Sequence, residues 1–174
     1  PRCSAADVVA SKNAGQTLLN TWIEFSNRLL NFPLVIITAL VFIAAWRFRP
    51  GGVRRRDLFW LGLAQPAGVV AQAVIGGIVV ITKLSPISVS IHFLISATIV
   101  AAAVTLHVRC AEGNAPPDAV VRRGLRLLSA ALVAVTGAML AAGTVVTGTG
   151  PLAGNAAAPR YKLPLEGVTQ LHAD

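Results

Sequence analysis

Apolar positions in this chain gather into long, nearly unbroken blocks separated by short polar connections. They do not follow the one-sided period of a soluble helix or the alternation of a half-buried strand. Crossing about 30 Å of hydrocarbon takes roughly 20 helical residues. Four blocks are long enough: residues 22–46, 58–82, 87–108 and 125–147. The pattern predicts an all-α fold, a polytopic transmembrane helix bundle with four spans. The chain divides into a loop over 1–21, three spans over 22–108, a linker over 109–124, and a fourth span, a loop and the start of a further helix over 125–174. No internal repeat of fixed period is visible.

Composition agrees with that reading. Hydrophobic residues make up 55% of the 174 residues and charged residues only 13%, with a mean hydropathy of +0.68. A soluble domain of this size needs more charge to cover its surface. The formal net charge of +8 would suggest nucleic acid in a soluble protein. Here the basic residues cluster in two connections, aromatics are sparse and no basic stripe is interleaved with them, so nucleic acid is set aside and the lipid bilayer is the expected partner.

The first of these connections, Arg47-Phe-Arg-Pro-Gly-Gly-Val-Arg-Arg-Arg56, carries five arginines. The second carries Arg109, Arg122, Arg123 and Arg126, with Pro116-Pro117 breaking any helix. Lys83 alone stands between the second and third spans. Basic loops stay on the cytoplasmic side, so the pattern predicts both ends on the outer face of a cell membrane.

An outer start that opens on Pro1, without a signal peptide, needs a preceding span to deliver it. The segment Gly167-Val-Thr-Gln-Leu-His-Ala-Asp174 reads as the entry into another helix. Both features lead us to expect a piece of a longer chain. Cys3 and Cys110 fall on opposite sides of the membrane in this topology, so they are not expected to pair with each other. Cys3 lies on the side where a partner would be oxidised to it.

Ionisable groups within spans are costly and mark candidate sites. Glu24, Asn27, Arg28 and Asn31 recur at helical spacing along one face of the first span. A Glu24–Arg28 pair that merely snorkels to water is the simpler reading, and a polar face turned into a bundle is the other. His92 lies about two turns into the third span, with Ser85, Ser88 and Ser96 on or near its face. Small neighbours let a flat macrocycle approach, and neutral imidazole is a common axial ligand for haem iron. A buried histidine bonded to a carbonyl or serine would look the same. His172 enters the membrane from the same side. His107 lies fifteen residues beyond His92, roughly 22 Å deeper, and reads as structural. Gln72, Gly76, Gly77, Gly137 and Gly143 read as close-packing faces between helices. No phosphate loop or nucleophile elbow occurs, and the glycines do not follow a strand.

In order along the chain, Ile23-Glu-Phe-Ser-Asn-Arg28, Gln72-Ala-Val-Ile-Gly-Gly-Ile-Val-Val-Ile-Thr82, Val89-Ser-Ile-His-Phe93, Gly143-Thr-Val-Val-Thr-Gly-Thr-Gly-Pro151 and Leu171-His-Ala-Asp174 resemble the haem A synthase family. The likeness covers nearly the whole chain. It implies an eight-helix protein of two related four-helix halves, each with a haem site toward the outer face. This chain would supply helices two to five and the threshold of the sixth.

The resemblance further implies oxidation of a ring methyl of haem O to a formyl group by successive hydroxylations, with haem B as cofactor and haem O as substrate. It places an activity-bearing carboxylate at Glu24 and haem-iron ligands at His92 and His172. Arg28 and Asn27 come to lie in the cofactor-binding stretch, with Arg28 available to a haem propionate. Asn27 departs from the family, many of whose members have a ligand histidine there, and Pro151-Leu-Ala-Gly-Asn155 departs in the following loop. Pro1-Arg-Cys3 resembles the end of a cysteine-containing outer loop, so Cys3 is an expected disulfide half. A haem O synthase and the cytochrome oxidase assembly pathway are implied partners, and a homo-oligomer is left open. Two other classes stay in view: a non-catalytic membrane haem protein or b-type cytochrome subunit, and a transporter segment in which Glu24, Arg28 and His92 line a path.

Overall fold

The computed structural model describes residues 5–113, 120–150 and 158–173, without the side chains of residues 5–17, 20 and 24. It contains α1 (Ala5–Arg47), a 3-10 turn (Pro50–Gly52), α2 (Arg56–Ile81), α3 (Pro86–Ala111), α4 (Arg123–Thr149) and α5 (Leu165–Ala173). No strand occurs among the described residues. Four stretches are long and apolar enough to cross a membrane: Thr21–Arg47, Arg56–Ile81, Pro86–Ala111 and Arg123–Thr149. Each end falls within three residues of the boundary predicted from the apolar blocks. Where the sequence suggested a loop over 1–21, the chain is already helical from Ala5 and continues unbroken into the first span. The stretch carries Ala5, Ala6, Ala10 and Ala14 and meets no proline before Pro33, so no residue in it breaks a helix outright.

Among the described residues the helices pack in chain order: α1 on α2, α2 on α3, α3 on α4, and α4 on α5. Short connections make successive spans antiparallel. The arginine-rich connections therefore lie at one end, and the α2–α3 turn lies at the other.

The arginine-rich end is pinned. Ala45, Leu58 and Leu106 bring side chains of α1, α2 and α3 into one small core, flanked by Val41 and Leu61. Leu58 is only 2% exposed. Gly62 admits this contact, since a Cβ there would stand 2.7 Å from that of Ala45. Over the core, Arg55 donates to Asp57 (Nη2 to Oδ2, 2.7 Å) and to the backbone carbonyl of Glu112. Arg109 closes the network, with Nη1 donating to Glu112 Oε2 at 2.8 Å and Nε 3.6 Å from Asp57 Oδ2. The hydrogen bond that Arg55 donates to Asp57 raises the pKa of Arg55 further above its ordinary value, so the clamp stays charged. A basic loop is thereby tied to the end of α3.

At the opposite end, α2 stops in a Schellman arrangement, with Lys83 N donating to Val80 O at 3.0 Å and Leu84 N to Val79 O at 2.9 Å. Lys83 and Leu84 both take left-handed backbone angles (φ 52° and 61°), which a non-glycine residue adopts at a cost. Thr82 and Ser88 join hydroxyls across the turn at 2.8 Å. After α4 the chain folds back: Tyr161 N donates to Gly148 O at 2.9 Å, and its ring lies where a Gly148 Cβ would be.

Candidate functional site

Two imidazoles are held near one depth at the end away from the arginines. His92 is six residues into α3, and Gly143 is six residues before the end of α4. At 1.5 Å per residue each is about 9 Å from its helix end. The His172 ring lies against Gly143, its Cε1 3.2 Å from where a Cβ would be, so His172 shares that depth. The His92 ring lies against Gly76 of α2, with the corresponding distance 3.5 Å. Each histidine thus sits in its own seam, His92 between α2 and α3, and His172 between α4 and α5.

The α2–α3 seam is polar at this level. Gln72, one turn before Gly76 on the same face of α2, donates through Nε2 to the backbone carbonyl of His92 at 3.0 Å and also to Ser96 Oγ. Ser96 Oγ in turn donates to the His92 carbonyl at 3.0 Å. The α4–α5 seam opens instead on an apolar cavity of about 590 Å³ between α3 and α4, lined by Val89, Phe93, Met139, Leu140 and Thr144, with His172 in its wall. That volume is within the usual range for ligand and cofactor sites. The hydroxyl of Thr144 is bonded back to the Ala141 carbonyl of its own helix, so it adds little polarity.

Three buried side-chain atoms have no hydrogen-bond partner among the described residues: His92 Nδ1, His172 Nδ1 and Gln72 Oε1. Unpaired buried polar atoms are uncommon in folded proteins and call for an explanation. Two of the three belong to the histidines that the sequence singled out. No cluster of three or more His, Cys, Asp or Glu suited to a bare metal ion occurs among the described residues. Haem makes a different demand, a single imidazole per face and an apolar slot beside it. His172 meets both requirements, and His92 meets the first.

The first span is positioned differently. Every described side chain from Leu18 to Ile37 is exposed, and α1 joins the other helices only from Thr38 onward. Asn27 lies on a shallow open groove with Trp22, Ile23 and Ser26. Arg28 is on the same exposed half of the helix. The side chain of Glu24 lies outside the described residues, as do Cys3, Pro116-Pro117 and the 151–155 loop. The structure therefore brings the Asn27–Arg28 stretch near neither histidine. His107 is exposed near the arginine-rich end, away from His92. Cys110 is a free, exposed cysteine.

Among the expected packing glycines, Gly77 and Gly137 face open space, whereas Gly76 and Gly143 make room for imidazoles. The signal was present in the sequence as a glycine on the preceding helix at the depth of each histidine. What hid it was the many small residues these spans also use for ordinary packing.

The fold defines an integral membrane protein of the multi-pass kind, with histidine side chains held inside its apolar zone. The family model for cytochrome oxidase assembly proteins matches residues 9–167, and the chain belongs to that family. Its role accordingly lies in cytochrome oxidase assembly. No curated protein and no solved structure matches the chain.

Proposed function

We propose that the protein is a haem A synthase, which oxidises a ring methyl of haem O to a formyl group for use by a terminal oxidase. The observation that carries this reading is the pair of half-buried imidazoles, each seated on a glycine with a buried, unpartnered Nδ1, in a chain of the oxidase assembly family. His92 and His172 would hold haem iron, in separate seams. Haem B, when bound, supplies the iron chemistry of the hydroxylation steps. His92 fixes where a macrocycle stands relative to α3. Phe93, Met139 and Leu140 give the space beside His172 an apolar wall. Glu24 is assigned the activity-bearing carboxylate on the family resemblance, with Arg28 available to a propionate. Asn27 is an amide, a poor iron ligand, so the first-half site relies on His92 from this chain.

The orientation that fits the arginine loops puts the histidine end and Cys3 on the outer face of a bacterial plasma membrane. Cys3 would there form a disulfide with a cysteine elsewhere. A haem O synthase is the natural supplier of substrate.

The test is to produce the protein with a haem O synthase in cells that lack haem A, then extract and separate the haems. Haem A is expected with the native sequence, and is expected to be lost with Glu24→Ala and with His92→Ala. Bound haem B with haem O left unconverted in every sample would overturn the synthase and favour a non-catalytic haem protein.

A further inference from the structure

Gln72 makes its two described side-chain bonds at one place. Its Nε2 grips the backbone carbonyl of His92 and the hydroxyl of Ser96, one turn further along α3. Because Ser96 also donates to that carbonyl, three polar groups from two helices tie down the single turn that carries the imidazole. Four residues on, Gly76 presents no side chain to the ring, so Gln72 and Gly76 form one seat on one face of α2.

The same knot contains two of the three unpartnered buried atoms, Gln72 Oε1 and His92 Nδ1. One is an obligate acceptor. The other becomes a donor when the imidazole carries its proton on Nδ1. Turning the amide over would aim its oxygen at the His92 carbonyl and lose both donated bonds, so the network fixes which end of the amide is the acceptor. A ligating histidine commonly gives its second N–H to an oxygen of the surrounding protein, which leaves Nε2 as the electron-pair donor.

We propose that Gln72 is a positioning residue for His92: its Nε2 holds the turn of α3 beneath the ring, and its Oε1, unpartnered in this structure as Nδ1 is, becomes the acceptor of the Nδ1 proton once the ring turns toward it, directing Nε2 away from α2. The significance for a bound macrocycle rests on the haem reading above, whereas the tautomer itself does not. His172 has a glycine seat but no amide partner of this kind among the described residues, so the device belongs to the first seam alone.

The experiment uses the whole chain made in a haem-deficient host, labelled with ¹⁵N-histidine, reconstituted in bilayers and examined by solid-state NMR. The chain has three histidines, so His107→Gln and His172→Gln assign the His92 signals. His92 is expected as the Nδ1–H tautomer, whereas free neutral imidazole favours Nε2–H. Gln72→Leu should move His92 to Nε2–H without shifting His172. Gln72→Glu, which keeps an acceptor, should retain Nδ1–H, as should Ser96→Ala, which keeps the amide oxygen. Nε2–H in the native sequence, or Nδ1–H surviving in Gln72→Leu, overturns the proposal. If Gln72→Leu fails to insert, the native tautomer and the other two variants still decide the matter. An optical spectrum of protein from a haem-replete host completes the test. A colourless sample with the Nδ1–H tautomer intact refutes the haem reading and leaves the role of Gln72 standing.

Discussion

The two histidine seams are alike in plan and unlike in chemistry. In both, a helix offers a glycine to the imidazole of the next helix at a similar depth. Around His92 the neighbours are polar: Gln72 and Ser96 knot α2 to α3. Around His172 the neighbours are apolar and the space is large, an opening of about 590 Å³ between α3 and α4. The turn that carries His92 is tied down through its backbone carbonyl. A histidine held by shape alone is oriented by whatever fills the cavity beside it. The comparison teaches that equal donors at equal depth need not be equal sites.

The most forceful way to break the comparison is to fill one seam and leave the other. Gly143→Leu puts a side chain where the His172 ring and the cavity mouth now are, and should abolish haem at that site. Spectra assigned to His92 should persist, and their simultaneous loss would show that the seams are not independent.

A cut far from both seams sharpens the same point. Leu58→Ala, in the core at the arginine-rich end, should lower unfolding stability by about 2–4 kcal/mol, as read from denaturation in detergent. Each haem signal should be unchanged in position until the protein unfolds.

Smaller steps test the glycine seats themselves. A Cβ on Gly76 would meet the His92 ring at 3.5 Å, an ordinary contact, whereas one on Gly143 would meet His172 at 3.2 Å and push it aside. Gly76→Ala should therefore leave haem affinity nearly unchanged, while Gly143→Ala should weaken it by roughly tenfold. Haem titration of the two variants reads the difference. The smallest effect is expected at the α2–α3 turn, where Lys83 bears a left-handed backbone. Lys83→Gly should add roughly 0.5–1 kcal/mol of stability without touching either spectrum.

Much of this molecule was legible in its apolar blocks, because hydrocarbon thickness sets the length of a span and leaves few alternatives. His92 and His172 stood out for a related reason: an imidazole among apolar residues is rare enough to notice. The partners of these histidines were not legible. Gln72 and Gly76 lie sixteen to twenty residues before His92, and only the rotation of α2 against α3 decides whether they meet it. The separation of the outer half of α1 was equally hidden. The Glu24-to-Asn31 stripe has the spacing of a face turned inward, yet a periodic pattern does not say which neighbour is present to receive it. The arginine-rich end shows the converse. The loop was read from charge alone, while the placing of Arg55 beneath Glu112 and beside Asp57 depends on where α3 ends.

Haem content per polypeptide, measured on purified native protein and on His92→Ala, His172→Ala and the double variant, tests the central claim most directly. Two separate seams predict that each single substitution removes a different part of the absorbance and that the double variant is colourless. Native haem content in both single variants, or a native protein without haem, would contradict it.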